Sequence, residues 1–338
     1  MEHIGFPTET VVIFVVVVFA SLFLDLYAHK KDEDITLKSA CAWTIFWILL
    51  SVAFGLYLYF HHSAEMASLF FTGYVLEKVL SVDNLFVIMA IFSWFSVPEK
   101  YRHRVLYWGV LGAIVFRGIF VAIGTELLSF GPYMELVFAA LVGYTAVMML
   151  KKRSETEEIK DYSNHIAVRM VRKIFPVWPR IKGHDFFVKS SWAEEESRKE
   201  NIKLDGLGRK AAYAVTPLFV CLAVIEVSDV MFAFDSVPAV IAVSREPLII
   251  YSAMIFAILG LRSLYFVLES LSNRLVYLEK AVVVLLFFIT AKLLLSGCNH
   301  IFGVGFDITP NQSLVIVLSV LIIGIVASLF ATRKPEQK

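Results

Sequence analysis

The chain has 338 residues, 58% of them hydrophobic, with a mean hydropathy of +0.73 and a formal net charge of +1. These values lie outside the range of soluble domains and place the chain among polytopic membrane proteins. No GxSxG, phosphate loop or zinc-protease motif occurs, so neither an enzyme nor a nucleotide-driven pump is expected, and no nucleic-acid partner is expected.

Stretches of about 20 apolar residues read as membrane-spanning helices. Nine are expected, over 8–28, 39–60, 67–95, 104–127, 132–150, 214–242, 248–269, 278–298 and 312–332. The first lacks the small-residue cleavage site of a secretory signal and reads as a retained anchor. The expected fold class is all-α. Its divisions are two N-terminal helices (1–61), a three-helix unit (67–150), a polar loop (151–213), a second three-helix unit (214–298), and a last helix with its tail (312–338). The cysteines Cys41, Cys221 and Cys298 show no CxxC spacing and read as small apolar residues. Gly297 and Gly303 read as loop punctuation.

Of 31 Lys and Arg, four lie inside spans (Lys78, Arg117, Arg262, Lys292) and Arg245 lies alone on one side. The other 26 follow odd-numbered spans or lie in the C-terminal tail. The positive-inside rule then puts the N-terminus outside and the C-terminus in the cytoplasm of an inner membrane. The 151–213 segment opens with a charged run, Lys151 to Asp161. A helical pattern follows, Ile166 to Phe175, apolar with interspersed basic residues, which would lie on the inner leaflet and stop at Pro176 and Pro179. A short strand is expected within His184–Lys189. The alternative is a solvated tether.

The polar segment divides an internal repeat. Arg117 and Arg262 are 145 residues apart, and Thr145–Leu150 matches Thr290–Leu295 at the same offset. Each unit has three spans. An odd number inverts the second copy, as in many secondary transporters.

Six acids fall inside spans: Asp25, Glu77, Asp83, Glu226, Asp229 and Asp235. A charge at the bilayer centre costs about 3 kcal/mol on insertion scales, so such residues mark function or pairing. Glu77, Ser81 and Asn84 share one helix face at i, i+4, i+7, with Asp83 beside them. Asp229 and Ser236 repeat the i, i+7 spacing, Asp235 adjoins Ser236, and Glu226 precedes Asp229 by one turn. Pro238 should kink its helix and free the Phe234 carbonyl. Carboxylate, amide, hydroxyl and carbonyl oxygens suit a hard divalent ion: Mn²⁺, Mg²⁺ or Ca²⁺. The expected ion ligands are Asp83, Asn84, Asp235 and Ser236, with Glu77, Asp229 and Glu226 completing the shell or exchanging protons. Lys78, Ser81, Arg117, Ser228, Arg262, Lys292 and Asp25 are the expected supporting or ion-pairing residues. The competing reading is that Arg117, Arg262, Lys78 and Lys292 simply neutralise four of the acids. Glu126, Glu135 and Glu269, near span ends, read as solvated.

At these motifs the chain resembles the TerC/Alx family of integral membrane proteins. The matching text is Gly73–Lys78 running into Ser81–Asn84, then Phe92–Pro98, Thr216–Pro217, Glu226–Asp229, Phe234–Ala239 and Phe256–Arg262. The nine-span layout with a polar centre is similar to the Alx branch. The resemblance implies manganese export from the cytoplasm, with Glu77, Asp83, Asp229 and Asp235 in the ion path, and ties to tellurite resistance, alkaline-pH response and metal supply to secreted enzymes. The chain departs from the family at Met254, where an asparagine is common. No resident cofactor is implied, Mn²⁺ being the cargo bound at a midplane carboxylate site. A different class of function is an accessory protein that docks others through 151–213 and assists their assembly or metal loading.

Overall fold

The computed structural model describes residues 7–28, 36–131, 133–152, 165–200, 212–244, 246–271, 277–303 and 308–331. Most of the charged run Lys151–Asp161, and Arg245, lie outside the described residues. Twelve helices and one two-stranded sheet are described: α1 (Thr8–Ala28), α2 (Leu37–His61), α3 (Ala64–Trp94), α4 (Glu99–Ser129), α5 (Tyr133–Lys152), α6 (Ile166–Ile174), β1 (Phe187–Lys189), α7 (Ser190–Glu200), β2 (Tyr213–Val215), α8 (Pro217–Ile241), α9 (Pro247–Ile258), α10 (Leu261–Leu271), α11 (Leu278–Phe302) and α12 (Pro310–Ala331).

Every expected span coincides with a helix or a bent pair. Among the described residues, six helices (α1, α2, α4, α8, α11, α12) are long and apolar enough to cross a membrane, and α9 with α10 makes a seventh if taken as one span. The 31-residue α3 is set apart from these by charge rather than by length, because Glu77, Lys78 and Asp83 sit around its middle. The apolar part of α5 is shorter, Tyr133–Met148.

Local chemistry explains the ends. The Thr36 and Ser63 hydroxyls accept from the Ser39 and Met66 amides at the starts of α2 and α3. Proline opens α8, α9 and α12, where its missing amide costs nothing. Gly303 closes α11 in the left-handed conformation, φ 66°. Gly297, expected as loop punctuation, instead lies inside α11 and packs against Leu136.

One further expectation is corrected. The seventh span is not one helix: α9 and α10 meet at 49° across Leu259 and Gly260. Gly260 has φ 80°, and a Cβ there would fall 2.6–2.8 Å from Trp47 side-chain atoms, so positive φ and close packing both require glycine. Pro238, expected to kink its helix, sits inside α8, which continues as one helix to Ile241. Transmembrane helices tolerate proline because neighbouring helices re-satisfy the freed carbonyl.

The packing order is regular. In the bundle, α3 lies against α9, α4 against α8, and α5 against α11. Exchanging α3 with α8, α4 with α9–α10, and α5 with α11 carries these pairings into themselves. Contact positions give the directions. Gly109 faces Ile225 and Gly124 faces Ile241, so α4 and α8 run parallel. Gly143 faces Thr290 and Gly297 faces Leu136, so α5 and α11 run antiparallel. Within a bilayer, lipid is as apolar as the helix surface, so close packing at such small residues holds helices together. On the flank, α1 and α2 join α3 and α9 through an aromatic core of Phe14, Trp47, Phe54, Phe70 and Phe256, with Phe54 stacked on Phe256 at 4.8 Å.

The described part of the segment between α5 and α8 (165–200 and 212–216) is folded rather than a solvated tether. β1 pairs antiparallel with β2, Phe187 opposite Val215. Trp178, Val188, Ala193 and Ala214 form a small core with Trp192, and the Lys182 ammonium lies 3.3 Å from the Trp192 ring centre. The sheet begins inside the expected His184–Lys189 strand. Arg104 stacks over Phe186 and Arg102 pairs with Glu269. The start of α4, the folded segment and the end of α10 therefore share one end of the bundle.

Candidate functional site

The centre of the site is Arg117 on α4. Its guanidinium, 1% exposed, reaches Glu77 on α3 and Asp229 on α8. One bond to Asp229 Oδ1 measures 2.9 Å and another to Oδ2 3.4 Å. Glu77 is fully buried and also accepts from the Ser81 hydroxyl at 3.2 Å, one turn on, which confirms their common helix face. One fixed fork of donors thus holds two carboxylates on two helices, a geometry lysine cannot supply.

Glu226 lies one turn before Asp229 and faces α4. Its Oε2 is buried without a hydrogen-bond partner. A Cβ on Gly112 would overlap its carboxyl, so the carboxylate occupies the space a side chain would fill. Gly112 was not singled out from the sequence; the signal was Gly109 and Gly112 on one face of a helix that must pass an acid-bearing partner. The Ser236 hydroxyl is buried and likewise without a partner, and Asn84 is buried. Ser228 is spent within its own helix, donating to the Val224 carbonyl at 2.8 Å. The side chains of Asp83 and Asp235, expected as leading ligands, lie outside the described residues, although their backbones continue α3 and α8. Among the described residues no group of three His, Cys, Asp or Glu side chains converges as a metal site.

The other cations are placed differently. Arg262 pairs with Asp25 at 2.7 Å and donates to the Asp25 backbone carbonyl at 2.8 Å, tying α10 to α1. Asp25 is thus an ion-pairing residue as expected, with Arg262 as its partner. Lys78, expected to neutralise an acid, instead donates to the carbonyls of Ala257 at 2.9 Å and Leu259 at 3.2 Å. The helix break frees those carbonyls and concentrates partial negative charge at the end of α9, which a cation satisfies. Lys292 is half-buried on α11. Of the acids expected to be solvated, Glu126 is exposed, Glu135 is buried near His300 at 3.4 Å, and Glu269 receives Arg102 and the Tyr265 hydroxyl. The structure therefore gathers Glu77, Ser81, Arg117 and Asp229, sets Glu226 beside them on α8, and pairs Arg262 with Asp25.

Comparison with known proteins agrees with this architecture. The family model described as "Integral membrane protein TerC family" matches residues 62–336. The chain is 61% identical to "Tellurium resistance protein TerC" of Serratia marcescens over 338 residues, covering 99% of this chain and 98% of that protein. It is 60% identical to the protein of the same name from an Alcaligenes species, over 99% of this chain and 97% of that one. It is 35% identical to "Putative membrane-bound redox modulator Alx" of Salmonella typhi, over 96% and 94%. No solved structure matches. The chain, an integral multi-pass membrane protein, belongs to the TerC family.

Proposed function

We propose that the chain is a secondary transporter exporting a divalent metal cation, Mn²⁺, from the cytoplasm across the bacterial inner membrane, with its N-terminus outside and its C-terminus inside. The observation that carries this is the buried carboxylate cluster where α3, α4 and α8 meet. One guanidinium offsets both Glu77 and Asp229, and Glu226 Oε2 has no hydrogen-bond partner among the described residues. That cluster carries excess negative charge when ionised, and Asp83 and Asp235 belong to the same two helices. A divalent cation would cancel such an excess. The ion would be held by Asp83, Asn84, Asp235 and Ser236, hard oxygen donors that suit Mn²⁺. Glu226 would complete the shell or exchange protons. Alternating access is supported by the helix pairings that survive exchange of the two three-helix units, the arrangement of an inverted repeat.

Mn²⁺ flux in proteoliposomes tests this, with Asp83→Asn and Asp235→Asn beside the wild type. Uptake by wild type that both variants lose at equal protein level is the expected result. No wild-type uptake across a pH gradient of either direction would reject transport. Flux indifferent to that gradient would reject proton coupling alone.

A second reading rests on the folded segment between α5 and α8, whose Trp178 core is more than a linker needs. It makes the protein an accessory that docks others for assembly or metal loading. Deleting that segment separates the two, since a transporter keeps flux and an accessory protein loses its partner. The tellurium resistance in the relatives' names fits metal homeostasis better than an oxyanion pocket, because carboxylates repel an oxyanion.

A further inference from the structure

The helix α6 carries more apolar surface than the bundle covers. At about 100° per residue, three arcs follow one another around it. Ala167, Val168 and Val171 are buried and share the apolar core of Val105, Leu106, Leu218 and Cys221, in the first turns of α4 and α8. Arg169, Arg172 and Lys173 occupy the exposed opposite side. Between them runs a stripe at i, i+4 and i+8: Ile166, Met170 and Ile174, which are 52%, 53% and 58% exposed.

Two observations say what covers that stripe. The first is depth. Packing on the start of α8 fixes α6 at the level where that span begins, not out in the water. Phe187, itself largely exposed, has its ring 4.7 Å from that of Phe219 in the first turn of α8, so the β1 edge lies at the same level. The second is charge order. The basic arc adjoins the apolar stripe through Lys173, the sequence of surfaces that an interfacial helix presents to acyl chains and anionic headgroups.

We infer that α6 is an interfacial helix whose Ile166–Met170–Ile174 stripe enters the lipid beside the bundle while Arg169 and Lys173 bind anionic lipid headgroups. This surface is independent of the carboxylate cluster and of whether the protein transports.

The test uses the full chain with Cys41, Cys221 and Cys298 replaced by alanine. A fluorophore is placed through Met170→Cys or, as a control on α7, through Arg198→Cys. The protein is reconstituted in phosphatidylcholine alone or in an equal mixture with phosphatidylglycerol. The expected result is quenching of the 170 label by brominated acyl chains and protection from aqueous iodide, with the reverse at 198. The lipid quenching should rise with phosphatidylglycerol, and Arg169→Gln with Lys173→Gln should abolish that rise. Iodide quenching at 170 in both mixtures would overturn the inference. Protection from both quenchers would also overturn it, and would assign the stripe to protein: to a second copy if 170-to-170 crosslinks form, otherwise to a different partner. If labelling at 170 disturbs the fold, Ile174→Cys reads the same stripe one turn on.

Discussion

Replacing Arg117 by methionine keeps the volume near that of the side chain but removes the charge that Glu77 and Asp229 share. Glu77 is fully buried, and the Asp229 side chain is 14% exposed. Removing one partner of a buried ion pair costs about 3–5 kcal/mol, because the remaining charge has neither water nor a counter-charge. Two carboxylates are stranded here, and the partial exposure of Asp229 offsets some of the added cost, so the same range applies. For a chain of this size that corresponds to a fall of about 4–7 °C in the unfolding midpoint. The assay is monodisperse protein remaining after heating in detergent, read by size-exclusion chromatography. Neutralising the acids as well (Arg117→Met with Glu77→Gln and Asp229→Asn) should restore most of the loss, since no charge is then left buried. Arg117→Lys should fall between, its single ammonium reaching one carboxylate rather than both. The reasoning is refuted if Arg117→Met alone leaves the midpoint unchanged, or if the triple variant is no better than the single one.

Other perturbations probe other joints. Gly112→Ala should destabilise by about 1–3 kcal/mol through overpacking against Glu226; the penalty should vanish on a Glu226→Ala background, and an equal penalty on both backgrounds would mean the two do not touch. Lys78→Met leaves the Ala257 and Leu259 carbonyls without their donor, at about 1–3 kcal/mol for each buried group. Amide exchange should speed up around the α9–α10 bend and not in α1 or α2; uniform acceleration would count against a local role. His165 caps α6 through Nδ1, which accepts from the Ala167 amide at 3.3 Å, and burial lowers its pKa below the ordinary histidine value of 6.5. A depressed histidine contributes stability that is present above 6.5 and is lost as pH falls through the lower folded value. Exchange protection of 165–175, corrected for intrinsic rates, should therefore decline only below about pH 6.5, and His165→Asn should flatten that profile.

The helices were legible because hydropathy over about 20 residues is a strong, redundant signal. The bend between α9 and α10 was not. Ile258-Leu259-Gly260-Leu261 is apolar throughout, and what makes Gly260 obligatory is its φ of 80° together with the side chain of Trp47, more than 200 residues away. The consequence of Pro238 is likewise not local: it depends on what neighbouring helices offer the freed carbonyl. The acid-bearing faces of α3 and α8 could be read from spacing, since i, i+4 and i+7 are fixed by helix geometry. Which cation meets which acid could not. Arg117 and Arg262 match at the 145-residue offset, yet one joins the cluster and the other holds Asp25. Lys78 escaped any side-chain pairing scheme because its partners are backbone atoms.

Glu77 and Lys78 are consecutive residues pointing in different directions from one turn of α3. The first is gripped by α4 through Arg117, and the second supports the end of α9. That turn is a mechanical junction. Sliding or rotating it would strain both attachments together, because no residue stands between them. The grip of α4 on α3 and the support of the bend thereby hang on two neighbouring side chains of one helix.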